Sequence, residues 1–285
     1  MKKDSKKNKK IFGYIIILLG LIILAFPIAK RFYSDIENKM VYEKVLKSQA
    51  EEDKEILDEV EKRAIAYNET IKDSDISMTD PFEVGDFGSK SILDNPDDIF
   101  AYIEIPKLGK VIPIYLDASY DHIAWGLGQV SGSSIPVGGE STRSVLAGHR
   151  GWWGDTMLLY ADDLVNGDLI YIKRADRTLT YKVFSKEVIG PFDWESLRIE
   201  KGEDIITLLT CHPFFWPRPN RLLVNARRVE DEKNPTENQK TEKIEVSENV
   251  KITNYIYVGF MIIDFILIIF VVSRIIKLIK NRKIS

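Results

Sequence analysis

The chain holds one cysteine, Cys211, in the stretch Thr207-Leu208-Leu209-Thr210-Cys211-His212-Pro213-Phe214. The thiol stands at the end of an apolar run, and Pro213 has no N–H to give a ladder, so a strand is expected to stop there. A nucleophile at a strand end is held by a rigid element yet opens to a cleft. The alternative is an inert buried thiol, since free cysteine is among the most buried residue types. A cysteine nucleophile needs a proton-transfer partner, and histidine is the usual one. The 3 histidines are His122, His149 and His212. His212 adjoins Cys211, and neighbouring strand side chains point to opposite faces. His122 lies in Ser119-Tyr120-Asp121-His122, a polar helix or turn position. His149 lies in Leu146-Ala147-Gly148-His149-Arg150-Gly151, a second strand end followed by a glycine-bounded turn, and ranks first. Acyl transfer also needs groups that hold an oxyanion. Two arginines follow the cysteine, Arg218 between two prolines and Arg221 at the opening of the next apolar run. Arg218 reads as a solvated surface residue.

These residues need a scaffold. Between about residues 99 and 229, β-branched and aromatic runs alternate with turn signals. The runs are 101–105, 111–115, 144–147, 169–173, 179–185, 205–210 and 222–226, with turns at Pro106, Gly109, 136–139, Asn166-Gly167 and 175–177. About eight short strands of this kind predict an all-β barrel or sandwich. Residues 34–72 have no Gly or Pro, and apolar residues recur there at helical spacing, predicting one or two amphipathic helices before the barrel.

Two apolar blocks flank this region. Residues 11–29, IFGYIIILLGLIILAFPIA, are uncharged, long enough for a bilayer core, and preceded by six lysines between positions 2 and 10. A signal peptide is the rival reading, but the A-x-A pattern is missing before Lys30. Residues 252–272 form a second apolar block, followed by Arg274, Lys277, Lys280, Arg282 and Lys283. Positive charge beyond each block places both termini in the cytoplasm and residues 30–251 outside. Asp264 sits inside the second block; an acid there is costly and is read as protonated or helix-paired, with a packing role. The formal net charge is −3, with no basic run interleaved with aromatics, so nucleic acid is not an expected partner. No nucleotide fingerprint or metal-ligand spacing is present, so neither cofactor nor metal is expected.

TLLTCHPF followed by RLLV, with LAGHRG upstream, resembles the sortase family. The similarity spans about residues 97–229 and includes Ile112-Pro113-Ile114-Tyr115-Leu116 and residues 132–139. The resemblance implies an eight-stranded β-barrel with N-terminal helices, flanked here by two transmembrane helices. It also implies a Cys–His–Arg triad, which falls on Cys211, His149 and Arg221. The loop after Cys211 is about one residue longer than is usual in the family, which keeps Arg218 as the alternative to Arg221. In Gly126-Leu127-Gly128-Gln129, Gln129 stands where many relatives have His. The second apolar block and Asp80-Pro81-Phe82 resemble class C, the pilin-polymerising sortases. In that class a lid sets an Asp on the catalytic arginine and an aromatic ring over the cysteine, here Asp80 and Phe82. An ordinary Asp-Pro turn is the plainer reading.

The expected organisation is a cytoplasmic tail (1–10), a transmembrane helix (11–29), an extracellular helical segment (30–75), a lid loop (76–96), the barrel (97–229), a linker (230–251), a transmembrane helix (252–272) and a cytoplasmic tail (273–285). The resemblance implies a membrane-anchored transpeptidase on a Gram-positive cell surface. It would cleave an LPXTG-like sorting signal of a pilin or surface protein between Thr and Gly, and join the acyl group to a lysine of another pilin. The groove would be lined by residues 189–199 and 214–220. The alternatives are a housekeeping-type sortase that uses a peptidoglycan amine, an extracellular cysteine hydrolase, and a non-catalytic membrane scaffold.

Overall fold

A computed structural model describes residues 2–51, 54–72, 78, 80–84, 92–151, 155–175, 177–229 and 245–283. Much of the expected lid loop, most of the expected linker and the middle of the expected 175–177 turn lie outside the described residues. The elements are α1 (Lys2–Glu51), α2 (Lys54–Ile71), α3 (Pro81–Val84), β1 (Ala101–Ile105), β2 (Lys110–Tyr115), α4 (Tyr120–Trp125), β3 (Leu127–Gln129), β4 (Thr142–Ala147), β5 (Leu169–Arg174), β6 (Arg177–Ile189), β7 (Asp204–His212), β8 (Asn220–Arg228) and α5 (Glu248–Lys283). The chain folds as two compact units, Met1–Ser34 with Glu248–Ser285, and Asp35–Ser247.

The first unit pairs the start of α1 with α5. Each helix contains a stretch long and apolar enough to cross a bilayer core. Arg31 Nη2 donates to Asn254 Oδ1 at 2.7 Å, and its guanidinium lies 4.4 Å from the centre of the Tyr257 ring. Asp264 is buried, and its Oδ1 has no hydrogen-bond partner among the described residues.

The second unit is a closed barrel in the order β1-β2-β3-β4-β7-β8-β6-β5. The β2–β3 and β4–β7 pairs are parallel and the rest antiparallel. Period-two alternation splits each strand between two surfaces. Leu146, Ile206, Leu208, Leu222 and Val224 join the large core with Ile103, Ile114, Ile170 and Ile172. Val145, Ala147, Leu209 and Leu223 point the other way, into a second cluster with Ile123, Ile189, Leu197 and Met78.

β3 is the strand that apolar runs did not announce, being three residues long and flanked or filled by glycine. The glycines have a steric cause. A Cβ on Gly128 would lie 2.4 Å from Ala118 Cα and Asp117 O, and one on Gly126 would lie 2.4 Å from Pro113 O. β6 is longer than its apolar run, spanning 13 residues with a register shift between Val183 and Ser185.

The helices before the barrel dock on it through specific polar contacts. Lys110 Nζ lies 2.5 Å from Asp35 and 2.9 Å from Asp155. Tyr42 packs edge-on against Tyr102 with ring centres 5.1 Å apart. On α2, Val60 and Ala64 enter the core, and Asn68 grips the backbone of Ile135 twice: Nδ2 donates to the carbonyl at 3.0 Å, and Oδ1 accepts from the N–H at 2.7 Å. Asn68→Ala strips both partners from a buried peptide, so it should lower stability by about 1–3 kcal/mol. Thr70→Ala, which removes an exposed hydroxyl bonded to the Tyr67 carbonyl, should change it by less than about 0.5 kcal/mol. Denaturant unfolding of the detergent-solubilised chain measures both, and equal effects would contradict the clamp.

Candidate active site

Strand register sets the site. Ala147 of β4 is level with Leu209 of β7, and Gly148 N–H donates to Leu209 O at 3.0 Å as the last step of that ladder. Two residues further along each chain stand His149 and Cys211. On the other side, Cys211 pairs directly with Arg221 of β8. Extended past the end of β4, this register brings His149 into a row with the cross-strand neighbours Cys211 and Arg221. The row sits above the apolar floor of Ala147, Leu209 and Leu223. β7 ends at His212, one residue before Pro213.

Asp80 and Phe82 reach into this row. Asp80 is buried, and its Oδ2 accepts from Arg221 Nε at 2.9 Å and from Arg221 Nη2. Its Oδ1 accepts from Phe82 N–H at 3.0 Å, capping the short α3 turn. One carboxylate thus shapes the turn and engages the arginine. The Phe82 ring centre lies 5.8 Å from that of His149 and 5.3 Å from the Arg221 guanidinium carbon, so the ring packs near both. Met78, just upstream, is buried in the apolar floor.

Arg218 is not the solvated side chain expected from sequence. Its Nε and Nη2 donate to Phe214 O at 3.2 and 2.8 Å, and its Nη1 donates to Arg150 O at 2.8 Å. The cause is the loop's composition: Pro213, Pro217 and Pro219 offer no N–H, so the arginine fork supplies donors that the backbone lacks. Arg221 Nη1 continues the pattern, donating to Asn220 O at 3.0 Å and Arg218 O at 3.3 Å. Phe192, Phe215 and Trp216 on the expected groove segments are strongly exposed.

The other histidines stand apart from the row. His122 stacks on Tyr115 with ring centres 4.3 Å apart, and its Nδ1 lies 2.6 Å from Asp117 Oδ1. His212 faces Arg150, with its Nδ1 3.3 Å from Arg150 Nη1. Gln129 is buried and donates to Val130 O, Ser133 O and Ser133 Oγ, a turn-holding role. Sequence reading passed over Arg150. It is wholly buried; Nη1 donates to Cys211 O at 3.2 Å and Nη2 pairs with Asp162. Its place beside His149 in the glycine-bounded turn was the available signal.

Burial pushes the Cys211 thiol pKa up; Arg221 pulls it down, Asp80 pushes it up again, and Arg218 and Arg150 pull it down. Burial lowers the His149 pKa, and the Arg218 charge lowers it further. With Asp80 and Phe82 in place, the pair is thus biased toward neutral thiol and neutral imidazole rather than thiolate and imidazolium. Among the described residues, no group of three or more His, Cys, Asp or Glu side chains is arranged to hold a metal ion.

A sortase domain profile matches residues 103–229. The crystal structure of Streptococcus pneumoniae sortase C, described as informative on catalysis and pilin substrate specificity, is 33% identical; the match covers 67% of this chain and 96% of that one, with a TM-score of 0.61. The chain belongs to the sortase family. Sortase C1 of GBS pilus island 1 is 29% identical over 71% of this chain and 95% of that one, at TM-score 0.62. Sortase C-1 from Actinomyces oris is 33% identical over 61% and 98%, at TM-score 0.55. No curated protein sequence matches the chain. The molecule is thus a sortase-type transpeptidase whose structural relatives are sortases C.

Asp80→Ala in this sortase removes a charge that raises the thiol pKa and releases the Arg221 fork. The rate–pH curve for iodoacetamide alkylation of Cys211 should move to lower pH, with faster labelling at neutral pH. An unmoved curve would show that Asp80 does not govern the thiol.

Proposed function

We propose that this sortase joins pilin subunits, with Cys211 as nucleophile, His149 as proton carrier, Arg221 as oxyanion partner, and Asp80 with Phe82 as a lid over them. The observation that carries the reading is the row of His149, Cys211 and Arg221 on one barrel face, occupied by Asp80 and Phe82. The pilin substrate is supported by likeness to sortases C, one described with pilin specificity and another from a pilus island.

The reaction begins when the lid lifts. Departure of Asp80 takes away the charge that raises the thiol pKa and frees two guanidinium donors of Arg221. Cys211 passes its thiol proton to His149, and the thiolate attacks the Thr carbonyl of an LPXTG-like signal, forming a C–S bond. Arg221, with backbone N–H groups, faces the developing oxyanion. The C–N bond to Gly breaks, and His149 gives its proton to the leaving amine. A lysine amine of another pilin then attacks the thioester and His149 takes up its proton. An isopeptide bond forms and the Cys211 thiolate leaves. Both apolar helices lie in the bilayer with the basic ends in the cytoplasm. Enzyme and substrates then share one membrane plane, which raises their effective concentration.

Incubation of the full chain in detergent with sorting-signal peptides, followed by intact mass spectrometry, tests the chemistry. The expected result is an acyl adduct on Cys211, absent in Cys211→Ala and passed to a lysine-bearing pilin. Arg221→Ala should slow adduct formation about 100-fold. Release to water at the same rate without any amine indicates a hydrolase, and preference for a peptidoglycan amine indicates wall anchoring. Absence of an adduct even in Asp80→Ala and Phe82→Ala favours a scaffold.

Orientation has its own test. A membrane-impermeant maleimide applied to intact cells should label Cys211 of the Asp80→Ala chain, and labelling only after lysis would invert the assigned topology.

A further inference from the structure

Arg150 is an unusual residue to find directly behind a reacting thiol. Its side chain is 0% exposed, and burying a guanidinium is costly unless its donors are used. Nη1 is used on the end of β7 and Nη2 on Asp162, while the buried Nε has no hydrogen-bond partner among the described residues. The β4–β7 ladder ends where Gly148 N–H meets Leu209 O, and just beyond it the His149 carbonyl turns away to accept from Leu158 N–H at 3.3 Å. Past that point, Arg150 Nη1 reaches back to Cys211 O at 3.2 Å and His212 Nδ1 at 3.3 Å. Nη2 is fixed by Asp162, and the Arg150 carbonyl accepts from Arg218 at 2.8 Å. The Phe214 ring centre lies 5.6 Å from the guanidinium carbon.

We propose that Arg150 is a positioning residue: its guanidinium takes over from the ended ladder and fixes the spacing between the His149 imidazole and the Cys211 thiol. This rests on reading Cys211 as nucleophile and His149 as its partner. A lysine at this position keeps the charge but not the planar fork, which must reach Cys211 O, His212 and Asp162 at once. Charge and position are therefore separable. The positive charge also pulls the Cys211 thiol down, an effect that lysine would retain.

The experiment uses the full chain in detergent, with Asp80→Ala as parent so that the thiol is accessible. The first readout needs no substrate. It is the pH profile of Cys211 alkylation by iodoacetamide, whose low-pH limb reports thiolate paired with imidazolium and is removed by His149→Ala. Arg150→Lys and Arg150→Met should both lose that limb, and Arg150→Met should also shift the main rise to higher pH. The second readout is turnover of a sorting peptide. Both variants should lower kcat about 100-fold with KM nearly unchanged, as expected when reacting groups are misplaced by about 1 Å. Where Arg150→Met leaves Asp162 uncompensated and the chain does not fold, Arg150→Met with Asp162→Asn removes both charges and is judged by the same criteria. A folded variant with the parent's alkylation profile, or Arg150→Lys with the parent's kcat, overturns the proposal. If no peptide is turned over by the parent, the sorting reading fails, and the alkylation limb still decides the role of Arg150.

Discussion

The site depends on one geometric constraint, the mixed register around β7. Its parallel neighbour β4 and antiparallel neighbour β8 are locked by six and eight paired positions respectively. A slip of one residue in either ladder would turn every side chain of that strand to the other face. Leu209 and Leu223 would then leave the apolar floor, and Cys211 would lose Arg221 as its cross-strand neighbour. The register is held because both faces are buried: Leu208 and Leu222 fill the barrel, while Leu209 and Leu223 fill the second cluster. The hydrophobic pattern of β7 and β8 is thus also what aligns the polar residues at their ends.

Charge in this region is concentrated and interlocked. Arg150, Arg218 and Arg221 lie close together at this end of the barrel, two of them buried, and are answered by Asp80 and Asp162. The arginines do different work. Arg218 satisfies the carbonyls of Phe214 and Arg150, Arg150 ties two strand ends, and Arg221 stands in the row with its fork on Asp80. Only the last pairing joins the barrel to a segment outside it.

The segment bearing Asp80 is tethered where it leaves the helices. Asn68 holds α2 to Ile135 twelve residues before Asp80, and Val60 and Ala64 bury the same helix. Downstream, Ile92 and Phe100 are back in the core. Asp80 and Phe82 thus lie in sequence between two stretches that are held to the barrel core.

Much was legible in the sequence because its signals are local. A cysteine before proline, a histidine in a glycine-bounded turn and an arginine opening the next apolar run each mark a strand end. The apolar blocks, with their flanking lysines and arginines, mark helices able to span a bilayer. Seven of the eight strands were visible as β-branched runs; β3 was not, because glycines forced by contacts with Ala118 and Pro113 replace such a run. Only the tertiary structure decided which strand lies beside which, and hence that residues 149, 211 and 221 share a row. It also decided the two arginines that sequence misjudged or passed over. Arg218 looks solvated until the loop's missing N–H groups are counted against its neighbours' carbonyls, and Arg150 looks like any surface cation until the ladder is seen to end beside it. The reason is the same in each case: a motif specifies the conformation of its own few residues, whereas partners distant in sequence are set by packing and hydrogen-bond satisfaction across the whole barrel.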